Sequence, residues 1–189
     1  MEKARRGGPL IHPMRQSIDH IAVLIPAHDE EALLPRCLHS ILCAQKHLPS
    51  DVTSDIVVTV DQSVDGTLDI ARTMLRDAGE AIVINAGSVG VARARAAEVA
   101  LSRYHADPSQ CWLANTDADC TVPENWLADQ LALARSGAHA VAGTVDVADF
   151  SEHPAIVRRR FHETYIIHPD GTHPHVHGAN IWNQSRRLP

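Results

Sequence analysis

Short apolar runs alternate with stretches of helical periodicity over most of the chain. Ile21, Ala22, Val23, Leu24 and Ile25 form an unbroken apolar run closed by Pro26, the pattern of a strand buried on both faces. After a polar turn, Leu33, Leu34, Cys37, Leu38, Ile41 and Leu42 recur at helical spacing. Pro35 fits the first turn of that helix, where its missing N–H costs nothing. Residues 56–60 predict a second buried strand, and residues 67–78 a second helix opened by Asp65-Gly66-Thr67. Residues 81–84 read as a third strand, and the Ala-rich residues 91–101 as a helix preceded by Gly87 and Gly90. Residues 111–114 are a fourth strand, 123–136 a helix, and 140–147 a further strand.

Strands alternating with helices predict an α/β fold, a mostly parallel sheet flanked by helices on both faces. Such sheets bind ligands at the carboxyl ends of their strands. Polar clusters stand at three of those ends, in residues 26–31, 61–67 and 115–119. The expected organisation is one unit over 18–180, a loose lead-in over 1–17 and an atypical tail over 181–189.

Composition sharpens this picture. With 189 residues and 44% hydrophobic content, the chain can bury one sizeable core. A net charge of -6 gives no reason to expect a nucleic-acid partner. No apolar run approaches the roughly 20 residues of a membrane helix, although peripheral membrane contact stays open. The basic start lacks the apolar core of a secretory signal. None of Cys37, Cys43, Cys111 and Cys120 forms a C-x-x-C pair. Reduced structural thiols and a cytoplasmic location are the expectation.

The sharpest chemical signal is Asp117-Ala118-Asp119 after a buried strand. Two hard carboxylates one residue apart can hold Mn²⁺ or Mg²⁺, directly or through water, and share it with substrate phosphates. By itself a D-x-D triplet is common on surfaces; its place at a strand end adds weight. In Pro26-Ala27-His28-Asp29-Glu30-Glu31, an acid in a first helical turn has a simpler explanation in the helix dipole, which covers Glu31. In Asp61-Gln62-Ser63-Val64-Asp65-Gly66-Thr67, Asp65 and Thr67 can be helix caps. Asp61, directly after the strand, could accept hydrogen bonds from a base or ribose.

Together these stretches resemble the family-2 glycosyltransferases, which have the GT-A fold. The likeness is carried by Ile25 to Glu31, Val60 to Thr67, Gly90-Val91-Ala92-Arg93-Ala94-Arg95 and Thr116-Asp117-Ala118-Asp119, in that order. It runs from about Ile21 to Asn180. The resemblance implies that Pro26, Ala27 and Glu30 line a nucleotide pocket and that Asp61 meets the base. It implies Arg95 near the diphosphate and Asp117 and Asp119 as the metal motif, with Asp119 the more direct ligand. The chain departs from the family in Asp29, where Asn is common, and in Ala96 after the arginine. Arg93 and Arg95 are two positions apart and cannot share a helix face; Arg95 is the one expected in the site.

The resemblance implies transfer of a sugar from a nucleotide-diphosphate-sugar donor to an unidentified acceptor, metal-assisted and with inversion. The rival readings are a non-catalytic nucleotide-sugar-binding remnant and a nucleotidyltransferase. The loop after the first strand is acidic, whereas nucleotidyltransferases usually carry a Gly-rich, basic one there. Arg158-Arg159-Arg160 reads as an exposed basic turn. His173, His175 and His177 alternate, so an extended segment would place them on one face. An acceptor-side loop is the expectation for them, with zinc binding, or His177 as an extra metal ligand, as alternatives. Residues 181–189 show no sustained periodicity. They predict a chain cut short of its catalytic base, which binds donor without efficient transfer.

Overall fold

The computed structural model describes residues 17–147, 150–151, 154–169 and 172–185. Of the expected lead-in and tail, residues 1–16 and 186–189 lie outside the described residues. Six strands form one sheet: β1 (His20–Ala27), β2 (Thr53–Asp61), β3 (Gly79–Ile84), β4 (Cys111–Asn115), β5 (Ala140–Ala142) and β6 (Ile181–Gln184). Between them run helices α1 (Leu34–Gln45), α2 (Thr67–Leu75), α3 (Val89–Arg103), α4 (Trp126–Arg135) and α5 (Ala155–Thr164). The strand order is β3-β2-β1-β4-β6-β5. Strands β1 to β4 are parallel, and β6 runs antiparallel to both β4 and β5.

All eight residues of β1 are buried, as its unbroken apolar run predicts. Alternation divides them between two faces. Ile21, Val23, Ile25 and Ala27 join Leu38 and Ile41 of α1, Ala71 and Leu75 of α2, and Leu127 and Leu131 of α4. Ala22 and Leu24 face the other way, onto Ala96 and Ala100 of α3. The buried residues of α3 are Ala92, Ala96 and Ala100, a stripe of small side chains that seats this helix directly on β1 and β2. Gly79 opens β3 for a similar reason, since a Cβ there would stand 1.9 Å from the Ile56 carbonyl oxygen.

The chain changes direction across the sheet between β1 and β4. Crossovers place β2 on one side of β1 and β4 on the other, which opens a crevice at their carboxyl ends. Register brings the ends together: Ala27 pairs with Val60, and Leu24 pairs with Asn115.

Three expectations need correction. The strand expected over 140–147 stops at Ala142. The triple arginine lies in α5, not in a turn, and all three side chains are exposed. The segment beginning at Ile181 is no irregular tail, because Ile181–Gln184 forms β6 between β4 and β5. Its two amide residues hide the strand pattern. Gln184 is buried because it bonds inward, to His139 at 3.1 Å and to the Ser109 carbonyl. The Asn115 side chain donates to the Ile181 carbonyl at 2.9 Å.

Candidate functional site

The loops after β1, β2 and β4, with the start of α3, enclose a cleft of about 470 Å³. Pro26, Ala27, Glu30, Asp61, Asp117 and Asp119, the residues singled out in the sequence, all line it. Its other walls include His28, Gln62, Gly87, Ser88, Val89 and Ala92.

The first two loops are stitched to each other. Asp29 sits at φ 53°, a left-handed conformation that Asp and Asn both tolerate, so the departure from Asn leaves the backbone unaffected. Its carboxylate accepts from the Val64 N–H at 2.8 Å, and its own N–H donates to Ser63 at 3.0 Å. Glu31 accepts from the Gly66 N–H at 2.8 Å, while Asp65 accepts from the Glu31 N–H at 3.0 Å. The Thr67 hydroxyl accepts from the Glu30 N–H at 2.8 Å. Glu31, Asp65 and Thr67 are thus committed to architecture.

Asp61 anchors the loop that follows β3. Its buried carboxylate accepts three backbone N–H groups: Ala86 at 2.8 Å, Gly87 at 3.1 Å and Ser88 at 3.0 Å. These bonds, Ala86 foremost, hold the Asp61 carboxyl below the usual carboxylate range. A carboxylate offers about four lone-pair sites, so one acceptor position remains for a ligand. Gly87, at φ 60°, gives the loop the left-handed turn it needs there. Beside it, the His28 ring donates to the Asp61 carbonyl at 2.6 Å, which raises the imidazole pKa.

Asp117 is half-buried and Asp119 exposed, with Ala118 buried between them. The arginine that reaches this pair is Arg93, whose guanidinium bonds the Asp117 carboxylate. Arg95 instead pairs with Glu98 at 2.7 Å, one turn along the helix and away from the cleft. The cause lies in the alanine stripe of α3. At about 100° per residue, Arg93 projects about 60° from the centre of the Ala92–Ala96–Ala100 stripe on one side. Arg95 projects about 100° away on the other. That stripe is visible in the sequence and was the signal to use. Gly178 completes the placement, because a Cβ there would stand 2.5 Å from the Arg93 guanidinium.

The cleft is crowded with like charge. Desolvation first, and then the charges of Asp119, Asp65 and Asp117, push the Glu30 carboxyl above its usual range. A divalent cation would relieve that repulsion. Among the described residues, no group of three or more His, Cys, Asp or Glu side chains converges to hold a metal alone. Two carboxylates open to a cleft fit Mg²⁺ or Mn²⁺, ions that often take one or two carboxylates and complete their shell with water and substrate phosphates.

His173, His175 and His177 do share a face, as their alternation predicts. They stack on one another and on Tyr165, whose ring centroid is 4.4 Å from that of His175 and 5.7 Å from that of His177. His175 accepts from the Ile166 N–H at 2.9 Å, and His173 donates to the Ala142 carbonyl at 3.1 Å. This is packing, and among the described residues it assembles no group of three metal-binding side chains. All four cysteines are free, and burial pushes the Cys37 and Cys111 thiols up to about 12. No described helix is long and apolar enough to cross a membrane.

The sequence matches the family described as Glycosyl transferase family 2 over residues 22–185. No curated protein sequence matches the chain. Among solved structures, the chain resembles the mannosyltransferase PcManGT from Pyrobaculum calidifontis in complex with GDP-Man and Mn²⁺, with a TM-score of 0.57 and 21% identity. It resembles TarS 1-349 from S. aureus with a TM-score of 0.54 and 19% identity. A third likeness is to glucosyl-3-phosphoglycerate synthase from Mycobacterium tuberculosis in complex with Mg²⁺ and uridine diphosphate, with a TM-score of 0.54 and 16% identity. Each likeness covers 87% of this chain, and the chain spans 44%, 47% and 56% of those three proteins. At these identities the likeness is one of fold, the GT-A fold.

Proposed function

The chain belongs to glycosyl transferase family 2, and on that premise we propose that its cleft binds a nucleoside-diphosphate sugar together with Mn²⁺ or Mg²⁺ for transfer of the sugar to an acceptor hydroxyl. The observation that carries this reading is convergence. Asp117, Asp119 and the amide loop held by Asp61 meet in one cleft at the strand ends, and Arg93 bonds Asp117. A PcManGT complex with GDP-Man and Mn²⁺ and a synthase complex with Mg²⁺ and UDP give the same ligand chemistry on this fold.

The nucleoside lies between the β1 and β2 loops, where the remaining acceptor position of Asp61 meets a base or ribose donor. Ser88 and Val89 face it from the start of α3. The diphosphate lies toward Asp117 and Asp119. There Arg93 is positioned to pair with it, exchanging a carboxylate partner for a phosphate one. When bound, the divalent cation offsets charge on the departing diphosphate. In the transfer, the acceptor oxygen forms a bond to the anomeric carbon as the bond to the diphosphate oxygen breaks. The acceptor proton passes to a general base, and attack from the face opposite the leaving group inverts the anomeric configuration.

Calorimetry with UDP and GDP, with and without Mg²⁺ or Mn²⁺, tests the reading. Binding should weaken on adding EDTA, and Asp119→Asn should lose the metal-dependent part while its thermal unfolding stays unchanged. Equal affinity with and without metal would refute it.

A further inference from the structure

A second open cavity, of about 660 Å³, adjoins the cleft and shares Asp119 with it. Arg36 of α1, Trp126 at the start of α4, Thr144 and Asp146 after β5, and Asn180 before β6 all line it. Asn180 knits this wall together. Its side-chain oxygen accepts from the Trp126 indole N–H at 3.2 Å, and its amide nitrogen donates to the Thr144 carbonyl at 2.7 Å. Its backbone carbonyl accepts from the Gly143 N–H at 2.7 Å. A Cβ on Gly143 would stand 2.3 Å from the Asn180 side chain, so glycine is what lets the amide lie there.

Arg36 stands out in this setting. Arg36 is exposed and lines the cavity, and it makes no ion pair with any described residue, although Asp119 and Asp146 line the same space. The chain carries 23 acidic against 17 basic residues, so an arginine in a pocket that no described carboxylate pairs is not explained by any shortage of carboxylates. A planar guanidinium fork matches phosphate and carboxylate oxygens in two-point geometry. The carboxylate of Asp146 and the polar groups around Asn180 suit hydroxyls.

We propose that this second cavity is the acceptor subsite, and that it takes a small hydroxylated molecule bearing a phosphate or carboxylate group, with Arg36 pairing the anion. The inference rests on the donor reading of the first cleft. A molecule seated here lies beside Asp119, and so beside the end of the cleft assigned to the diphosphate and sugar. Its hydroxyl then faces the anomeric carbon, while its anionic end is held away from the donor's own phosphates.

The test is an NMR titration of the ¹⁵N-labelled chain. The Trp126 indole N–H, assigned through Trp126→Phe, reports on the second cavity, and the Gly87 and Ser88 amides report on the first. The probes are glycerol 3-phosphate, glycerate, glycerol and inorganic phosphate, with UDP and Mg²⁺ as the donor control. Glycerol 3-phosphate or glycerate should move the Trp126 indole, more strongly than inorganic phosphate does, and glycerol should not. Which of the two anions binds tighter identifies the acceptor's charged group. Arg36→Gln should weaken that response about tenfold or more, with the UDP response intact, and Arg36→Lys should keep part of it. If UDP moves Gly87 and Ser88 while neither anion moves Trp126, the acceptor inference fails and the donor reading stands. Anions that move only Gly87 and Ser88, or that still bind Arg36→Gln equally well, also overturn it. Absence of any UDP response removes the donor reading, and this inference with it. Should Arg36→Gln lose the UDP response through misfolding, Arg36→Lys decides: anion binding within a few-fold supports the inference, and none overturns it.

Discussion

All eight residues of β1 are buried, whereas none of the described residues from 143 to 180 is. The first region is held by apolar side chains on both faces of a parallel sheet, which makes it the rigid half of the molecule. The second is held by stacked rings. Phe161 lies 5.6 Å from Phe150 and 5.0 Å from Tyr165, and Tyr165 stacks at 4.4 Å on His175. Within it the Val145 N–H donates to the Tyr165 hydroxyl at 2.7 Å, and His173 joins it to the end of β5 by donating to the Ala142 carbonyl at 3.1 Å. The first cleft is mounted mostly on the first region, and the second cavity takes part of its wall from the other. Rigid elements position a site more closely than loops do, so the two cavities differ in how far a ligand must order its own walls.

The sharpest way to break this contrast is to remove one large ring from each region. Trp112 is fully buried, and its indole N–H donates to Gln130 at 3.1 Å. Trp112→Ala should cost about 3–5 kcal/mol in urea unfolding. Phe161→Ala, in a helix with no buried residue, should cost under about 1.5 kcal/mol. Comparable losses would erase the distinction.

The next largest effect separates the two arginines of α3. Arg93→Gln should weaken UDP binding about tenfold or more, because it removes a charge-assisted contact. Arg95→Gln, by contrast, breaks only an exposed i,i+3 pair with Glu98 and should leave the affinity within about twofold. The reverse order, read by calorimetry, would return the diphosphate role to Arg95.

Gly178 links the regions, since it lies in the second and backs Arg93 of the first. Gly178→Ala meets only the mobile end of a side chain, so the melting temperature should hardly move. UDP affinity should fall a few-fold as the guanidinium is displaced. A large drop in melting temperature would show that the glycine serves the backbone instead.

The smallest effect concerns acid. The Asp61 carboxyl is held below its ordinary value of 3.8 by three backbone N–H bonds. Its contribution is therefore complete above that value and is lost as pH falls through the lower folded value. Amide exchange, corrected for its intrinsic pH dependence, should show Ala86, Gly87 and Ser88 losing protection in that acid range. In Asp61→Asn this acid step should vanish. Unchanged protection of the wild type down that range would mean that the loop holds itself.

What could be read along the chain was whatever depends on near neighbours. Apolar runs at 21–25, 56–60 and 111–114 specify buried strands by themselves, because burial on both faces demands an unbroken run. The polar clusters that follow them mark the cleft, because a parallel sheet exposes its carboxyl ends together. Residues 26–31, 61–67 and 115–119 were marked in this way, the resemblance to the family singled out Pro26, Ala27 and Glu30 among them, and these three line the cleft with Asp61, Asp117 and Asp119. Only the tertiary structure decided the rest. Ile181–Gln184 became a strand because β4 and β5 offered it two hydrogen-bonding edges, which no local periodicity announces. Asp61 became the anchor of residues 86–88, and Arg93 rather than Arg95 became the partner of Asp117. Those outcomes turn on contacts between residues more than twenty positions apart and on the face by which α3 seats on the sheet, and the chain meets those contacts only once it has folded.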